Sequence, residues 1–363
     1  MRRSIALALG LSLLAAACSP RVLPIDGGSG GDPVEPGTGG SGGDGGAAGG
    51  DSGPLFETHP PVKEKPANVV GGFSIELPKE TLQPGDETHP CYIFPLEVQG
   101  PSRIVGGAKL MVGPGMHHGN IVTRPKTGEG FRPCPPGDDG DILGAEASAV
   151  FDGGAVLFGS STQMQGEEWQ RFPDGMGYPI KDGFEIVARM HYLNASGQPV
   201  EVAPRYEWFT IDEAKVEHLL GPFAWLLHGW EIPPMSEYTI SGTCNTPGPM
   251  HLVHVMPHMH RMGKAFTAEL VGGEHDGLRF LDSPGYDPES GVMLEYQPSL
   301  DLSIADGFRF SCTWHNTLDK PLQYGTGDNE MCILFGYAYP IDKSYSALSS
   351  GGSGCVVAAA AQP

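Results

Sequence analysis

From Val69 onward, apolar and polar positions alternate in short runs. Phe73-Ser74-Ile75-Glu76-Leu77, Tyr92 to Val98 and Phe184 to Tyr192 are the clearest. Successive side chains of an extended chain face opposite ways, so each run predicts a strand with one buried face. Gly, Pro, Asn and Asp separate the runs and supply the turns. Nothing with a sustained helical period exceeds about two turns. Lys215 to Leu220 fits a short turn of helix or a strand equally well. Many short strands at regular spacing predict an all-β chain of sandwich or barrel architecture. The part from Val69 to Ala360, roughly 290 residues, suits two medium domains better than one.

The beginning of the chain reads differently. Arg2 and Arg3, the apolar run Ile5 to Leu14, and Ala15-Ala16-Ala17 before Cys18 have the layout of an export signal. The apolar run is too short to anchor in a bilayer. Small residues directly before a cysteine resemble a bacterial lipobox, with Leu14 one place early. The expectation is a lipoprotein signal peptide over residues 1–18 with lipidation at Cys18. Ser19 then points to the outer membrane or cell surface. An ordinary cleaved signal with an incidental cysteine is the alternative. Residues 19–67, rich in Gly, Pro, Ser and Asp, cannot bury enough apolar area to offset their ordering entropy. They predict a disordered tether.

Seven cysteines less Cys18 leave Cys91, Cys134, Cys244, Cys312, Cys332 and Cys355. An even count in an exported chain favours disulfides, and six cysteines permit about fifteen pairings. No Cys-x-x-Cys occurs, which argues against a zinc ribbon or a thioredoxin-type site. The net charge of −21 makes nucleic acid and anionic lipid surfaces poor partners. A membrane is expected only through the lipid anchor.

The densest chemistry is His254-Val255-Met256-Pro257-His258-Met259-His260-Arg261-Met262. On a strand, His258 and His260 share a face and can converge on one ion, and a thioether as third ligand would favour Cu(I). A half-buried strand with hydrogen-bonded histidines has the same pattern. A second cluster is Met116-His117-His118-Gly119. Adjacent histidines reach one ion only where the strand is irregular, and Gly113, Pro114, Gly115 and Gly119 allow that. His191 ends a strand 73 residues after His118, so only the fold can unite them.

These segments together resemble the type II copper, ascorbate-dependent monooxygenases, the family of dopamine β-hydroxylase and peptidylglycine α-hydroxylating monooxygenase. The resemblance runs from about Cys91 to Cys355. It is carried by Cys91-Tyr92-Ile93, Met116-His117-His118, Met190-His191-Tyr192, and Pro233-Pro234 ahead of Cys244. His258-Met259-His260, Ser311-Cys312-Thr313 with Asn316-Thr317, and Glu330-Met331-Cys332 complete it in the same order. The resemblance implies two tandem antiparallel β-sandwiches of jelly-roll type, residues 68–213 and 214–360, with the boundary near Ile211 to Val216. It implies two copper ions. One is held by His117, His118 and His191, the other by the catalytic set His258, His260 and Met331. It also implies pairing of Cys312 with Cys332 and of Cys244 with Cys355. The family's bridges near Cys91 and Cys134 are rearranged here, and their mutual pairing is an expectation that the resemblance does not itself supply.

The implied reaction inserts one oxygen atom of O₂ into an unactivated C–H bond of a small molecule, with electrons from ascorbate or another one-electron donor. Three imidazoles suit either copper oxidation state, and two imidazoles with a thioether favour Cu(I). Zinc rivals copper for the all-histidine set, while the methionine disfavours zinc in the other. Met256 and Pro257 stand where the peptide-amidating enzyme has Arg-Val, so its carboxylate clamp is missing. Ile333 and Phe335 replace its Asn and Tyr. The expected substrate is therefore an amine or an apolar aromatic rather than a peptide acid, although Arg189 offers a clamp from the other domain. His254 is expected as a hydrogen-bonded core group rather than a spare ligand, and His251 as structural. A surface copper-binding or copper-scavenging lipoprotein without turnover is the alternative from another class. A structural β-sandwich module on a tether is a third.

Overall fold

The alternating runs assemble into four large sheets, two in each half of the chain, in a computed structural model. It describes residues 55–136, 152–160, 166–287, 293–325, 329–349 and 355–358. The expected signal peptide, Cys18 and residues 19–54 of the expected tether lie outside them. The first sheet has the order His218–Leu219, Met176–Pro179, Ile104–Val112, Arg205–Ile211, Val69–Glu76, and Gly166–Arg171 also pairs with Ile104–Val112. Facing it is the sheet Arg132–Pro133, Cys91–Pro95, Phe184–Leu193, Met116–Pro125, Val156–Gly159, with Glu87–Thr88 pairing to Phe184–Leu193. Leu110, Ile121, Ile186, Tyr206 and Trp208 fill the space between them.

The second half repeats the design. One sheet runs Glu57–His59, Leu294–Asp301, His251–His258, Ile333–Tyr339, Gly221–Leu226. Its partner runs Arg279–Ser283, Gly263–Val271, Gly307–Asn316, Ser236–Cys244, Cys355–Ala358. Trp225, Leu252, Phe266, Phe308 and Trp314 lie buried between the two. The pairs in these four sheets are antiparallel except Met176–Pro179 with His218–Leu219. The fold class is thus all-β, as the alternation predicts, and two antiparallel sandwiches in tandem, as the resemblance implies.

Three details depart from the sequence reading. The expected tether already forms a strand at Glu57–His59, which pairs with Leu294–Asp301 as an edge of the second sandwich. Its backbone finds an open sheet edge, and that outweighs its unfavourable composition. The strand expected from Tyr92 to Val98 stops at Pro95, because proline cannot continue the ladder. After Ile211 the chain makes a 3-10 turn, Glu213–Lys215, and His218–Leu219 then returns to the first sandwich.

All three disulfides expected are present: Cys91–Cys134, Cys244–Cys355 and Cys312–Cys332. The two sandwiches meet through aromatic rings. Phe172 stacks on His254 at 4.9 Å and meets Tyr337 edge-on at 4.9 Å. Tyr337 Oη donates to the Val156 carbonyl at 3.0 Å.

Candidate metal centre

Met116–Pro125 pairs with Phe184–Leu193 residue by residue until His118 faces His191. The register then slips, and Tyr192 faces Met116. His117 is the extra residue, so the strand bulges there. A bulge re-aims the side chains around it, and neighbours that alternation would send to opposite faces both turn toward His191. The ring centroids stand 5.1 Å (His117–His118), 4.6 Å (His117–His191) and 4.8 Å (His118–His191) apart. One ligand nitrogen from each lies within 4.8 Å of the others. The flanking glycines have separate tasks. Gly115 takes φ +92°, and a Cβ on Gly119 would come within 2.4 Å of Met190 Cε.

Burial sets the protonation of this group. Together with the neighbouring His191, it lowers the His117 pKa to about 4. Burial likewise holds His118 well below the ordinary range, reinforced by His191 and His117. His191 is lowered by burial, against the pull of Glu87. The three rings are neutral at pH 7, the form that binds a cation. His117 Nδ1 is buried with no hydrogen-bond partner, a cost that a metal ion at this position would remove. His191 Nε2 meets Glu87 Oε1 at 2.7 Å, leaving Nδ1 as its ligand atom.

The second set sits on the other sandwich. His258 ends the strand His251–His258, and His260 lies in the turn that follows, with the rings 5.2 Å apart and nearly perpendicular. His260 Nδ1 donates to the Asn329 carbonyl at 2.7 Å, which leaves Nε2 free for a ligand. Burial, aided by His260, takes His258 down to about 3, and burial lowers His260. Met331 is buried beside Ala224 and Ile333. It lies two residues before Ile333, the partner of His258 in the sheet, and one before Cys332, which is bonded to Cys312.

Glu330 ties these pieces together. One carboxylate oxygen accepts from the His260 amide at 2.8 Å and from Trp314 Nε1 at 2.9 Å, the other from the Met262 amide at 2.9 Å. Burial pushes its pKa up to about 7 against the pull of those donors. Positive charge on His258 or His260 lowers His118 further, and charge on His260 lowers His117. The two sets therefore lie near enough to feel each other's charge.

Of the other residues singled out in the sequence, His254 is fully buried and bonds Glu295 at 3.2 Å, a core role as expected. His251 stacks on Tyr339 at 4.6 Å. Phe335 stands 5.8 Å from the His258 ring, edge-on. Arg189 is buried on the strand of His191 and engaged by other groups. Sequence reasoning missed Glu87, His89 and Asn329, and gave Glu330 no role. His89 stacks on His191 at 4.3 Å. The one signal for the first pair is the spacing Glu87-Thr88-His89, which places two donors on one side of an extended segment.

No protein-family model and no curated protein matches the chain. Among solved structures, the major capsid protein P2 from bacteriophage PM2 aligns at 11% identity and a TM-score of 0.30, over 78% of this chain and 97% of that one. That likeness is too slight to bear on function.

Proposed function

We propose that the chain is an exported, lipid-anchored, copper-dependent monooxygenase that hydroxylates an unactivated C–H bond of a small molecule. O₂ and a one-electron reductant such as ascorbate are its co-substrates. The observation that carries this is the convergence of His117, His118 and His191 at a strand bulge, with a buried ring nitrogen left unpartnered, together with the pair His258 and His260 close to Met331 in the second sandwich. His117, His118 and His191 would hold one copper ion; His258, His260 and Met331 would hold the other. Copper supplies O₂ activation and one-electron transfer when bound.

The chain's own residues do the rest. Burial keeps the ligating rings unprotonated. Glu87 and the Asn329 carbonyl fix which nitrogen of His191 and His260 is free. Glu330 and the Cys312–Cys332 bridge hold Met331 and His260 in one rigid piece. Phe335 beside His258, with buried Ile333, makes the surroundings of that set apolar. A substrate carboxylate buried there without a partner is costly, so an amine-bearing or neutral aromatic molecule is the better substrate.

Copper-loaded protein incubated with ascorbate and ¹⁸O₂ should convert a phenylethylamine to an alcohol carrying one labelled oxygen. In competition, it should leave a glycine-extended peptide largely unreacted. Preferred hydroxylation of the peptide would overturn the apolar reading of the pocket. Two bound copper ions with no labelled product from an amine and aromatic panel would favour copper binding without turnover.

A further inference from the structure

His191 belongs to two donor groups at once. With His117 and His118 it forms the inner triad, and with Glu87 and His89 it forms a second group whose ligand atoms also lie within 4.8 Å of one another. The two differ in access. Glu87 and His89 are exposed, whereas the His191 side chain is 13% exposed and His117 Nδ1 is out of contact with solvent. The outer group is held firmly. Glu87–Thr88 pairs with Tyr192 and Leu193, and the amide of Met190 donates to the Pro90 carbonyl at 2.9 Å. A carboxylate alone is enough to orient His191. The ring of His89, stacked 17° from parallel at 4.3 Å, is not needed for that, and it adds a second nitrogen donor on the solvent side.

We propose that Glu87, His89 and His191 form an outer cation site that receives Cu(II) from solution and passes it to His117 and His118. The inference rests on the copper reading of the triad above. One carboxylate oxygen and two imidazole nitrogens suit Cu(II), which favours nitrogen with some oxygen. His191 makes the two positions exclusive. A neutral imidazole has one lone pair and one N–H, so the ring serves the outer ion through Nε2 or the inner ion through Nδ1, and its proton moves to the other nitrogen. With the ion inside, the proton returns to Nε2, which donates a hydrogen bond to Glu87 across the 2.7 Å contact seen here. Transfer is ligand exchange without change of oxidation state.

The test is the kinetics of loading. Metal-free full-length chain is mixed with Cu(II) supplied as its glycine complex, the rate is followed by the visible absorption of the protein-bound ion, and the endpoint is counted by metal analysis. His89→Ala should slow loading of the inner set about ten-fold and leave the final count at the wild-type value. In a second arm, with the other set removed by His258→Ala and His260→Ala, His117→Ala with His118→Ala should still bind Cu(II) at a position whose electron paramagnetic resonance shows mixed nitrogen and oxygen ligation. Adding His89→Ala should abolish that signal. An unchanged loading rate, a lowered final count in His89→Ala, or no such signal would each overturn the outer site. A wild-type chain whose His117, His118 and His191 take up no copper would instead overturn the copper reading itself.

Discussion

Replacing Glu330 with leucine removes the acceptor that joins three parts of the second set. The donors left behind are the amides of His260 and Met262 and the indole N–H of Trp314. The position is fully buried, so water does not take the place of the carboxylate. Each buried donor without a partner costs about 1–3 kcal/mol. Leucine also removes the desolvation cost that pushes the carboxyl up to about 7, which offsets part of the loss. The expected net destabilisation is about 3–5 kcal/mol, read from equilibrium urea unfolding of metal-free protein. Glu330→Gln keeps the shape and one acceptor oxygen but turns an amide NH₂ toward a donor, so it should lose less than the leucine variant. In Glu330→Leu that still folds, copper should be lost from His258, His260 and Met331 and kept by His117, His118 and His191. A loss below about 1 kcal/mol, or full copper in both sets, would refute Glu330 as the brace of this half-site.

Three further outcomes follow from the same geometry. Met331→Ile should remove Cu(I) from one set and leave the other filled, seen as a halved copper count under reducing conditions, because one set alone uses a thioether. Gly119→Ala, whose Cβ would sit 2.4 Å from Met190 Cε and 3.0 Å from Tyr206 Oη, should cost about 1–3 kcal/mol by urea unfolding and weaken metal binding at the bulge. Metal-free protein should lose stability as the pH falls. The depressed histidines stay neutral in the folded chain while the unfolded chain takes up protons. Their contribution is therefore complete above about pH 6.5 and declines by up to about 1.4 kcal/mol per pH unit per ring below it. The decline continues toward the folded values of about 4 for His117 and about 3 for His258. Unfolding midpoints measured from pH 7 to 4 that do not fall would contradict this.

The sandwich architecture and the metal-ligand candidates were legible because each leaves a local mark. Alternation is a property of a few adjacent residues, and His117-His118 between glycines announces a strand that must bend. What stayed illegible is non-local. Glu87 lies 104 residues before His191, on a two-residue strand with no hydrophobic pattern of its own. Glu57–His59 pairs with a strand 238 residues away, and nothing in a Gly- and Pro-rich stretch announces a free sheet edge elsewhere. Glu330 was visible as a letter beside Met331, but its role depends on three donors from two separate segments. Cys244–Cys355 and Cys312–Cys332 were legible through family resemblance and not through spacing, which leaves about fifteen pairings open.

The two half-sites solve one problem with opposite nitrogens, and that difference bears on where each would hold its ion. Glu87 takes Nε2 of His191, while the Asn329 carbonyl takes Nδ1 of His260. Nδ1 is bonded to the ring carbon that carries the side chain, so an ion on it lies close against the backbone of the bulged strand. Nε2 is at the far edge of the ring, so an ion on it would stand farther from its own backbone. An ion on His191 Nδ1 would thus lie close to its own strand. An ion on His260 Nε2 would lie farther from its backbone, in the set whose His258 ring has Phe335 5.8 Å away. A carboxylate at one ring and a backbone carbonyl at the other are enough to impose this asymmetry.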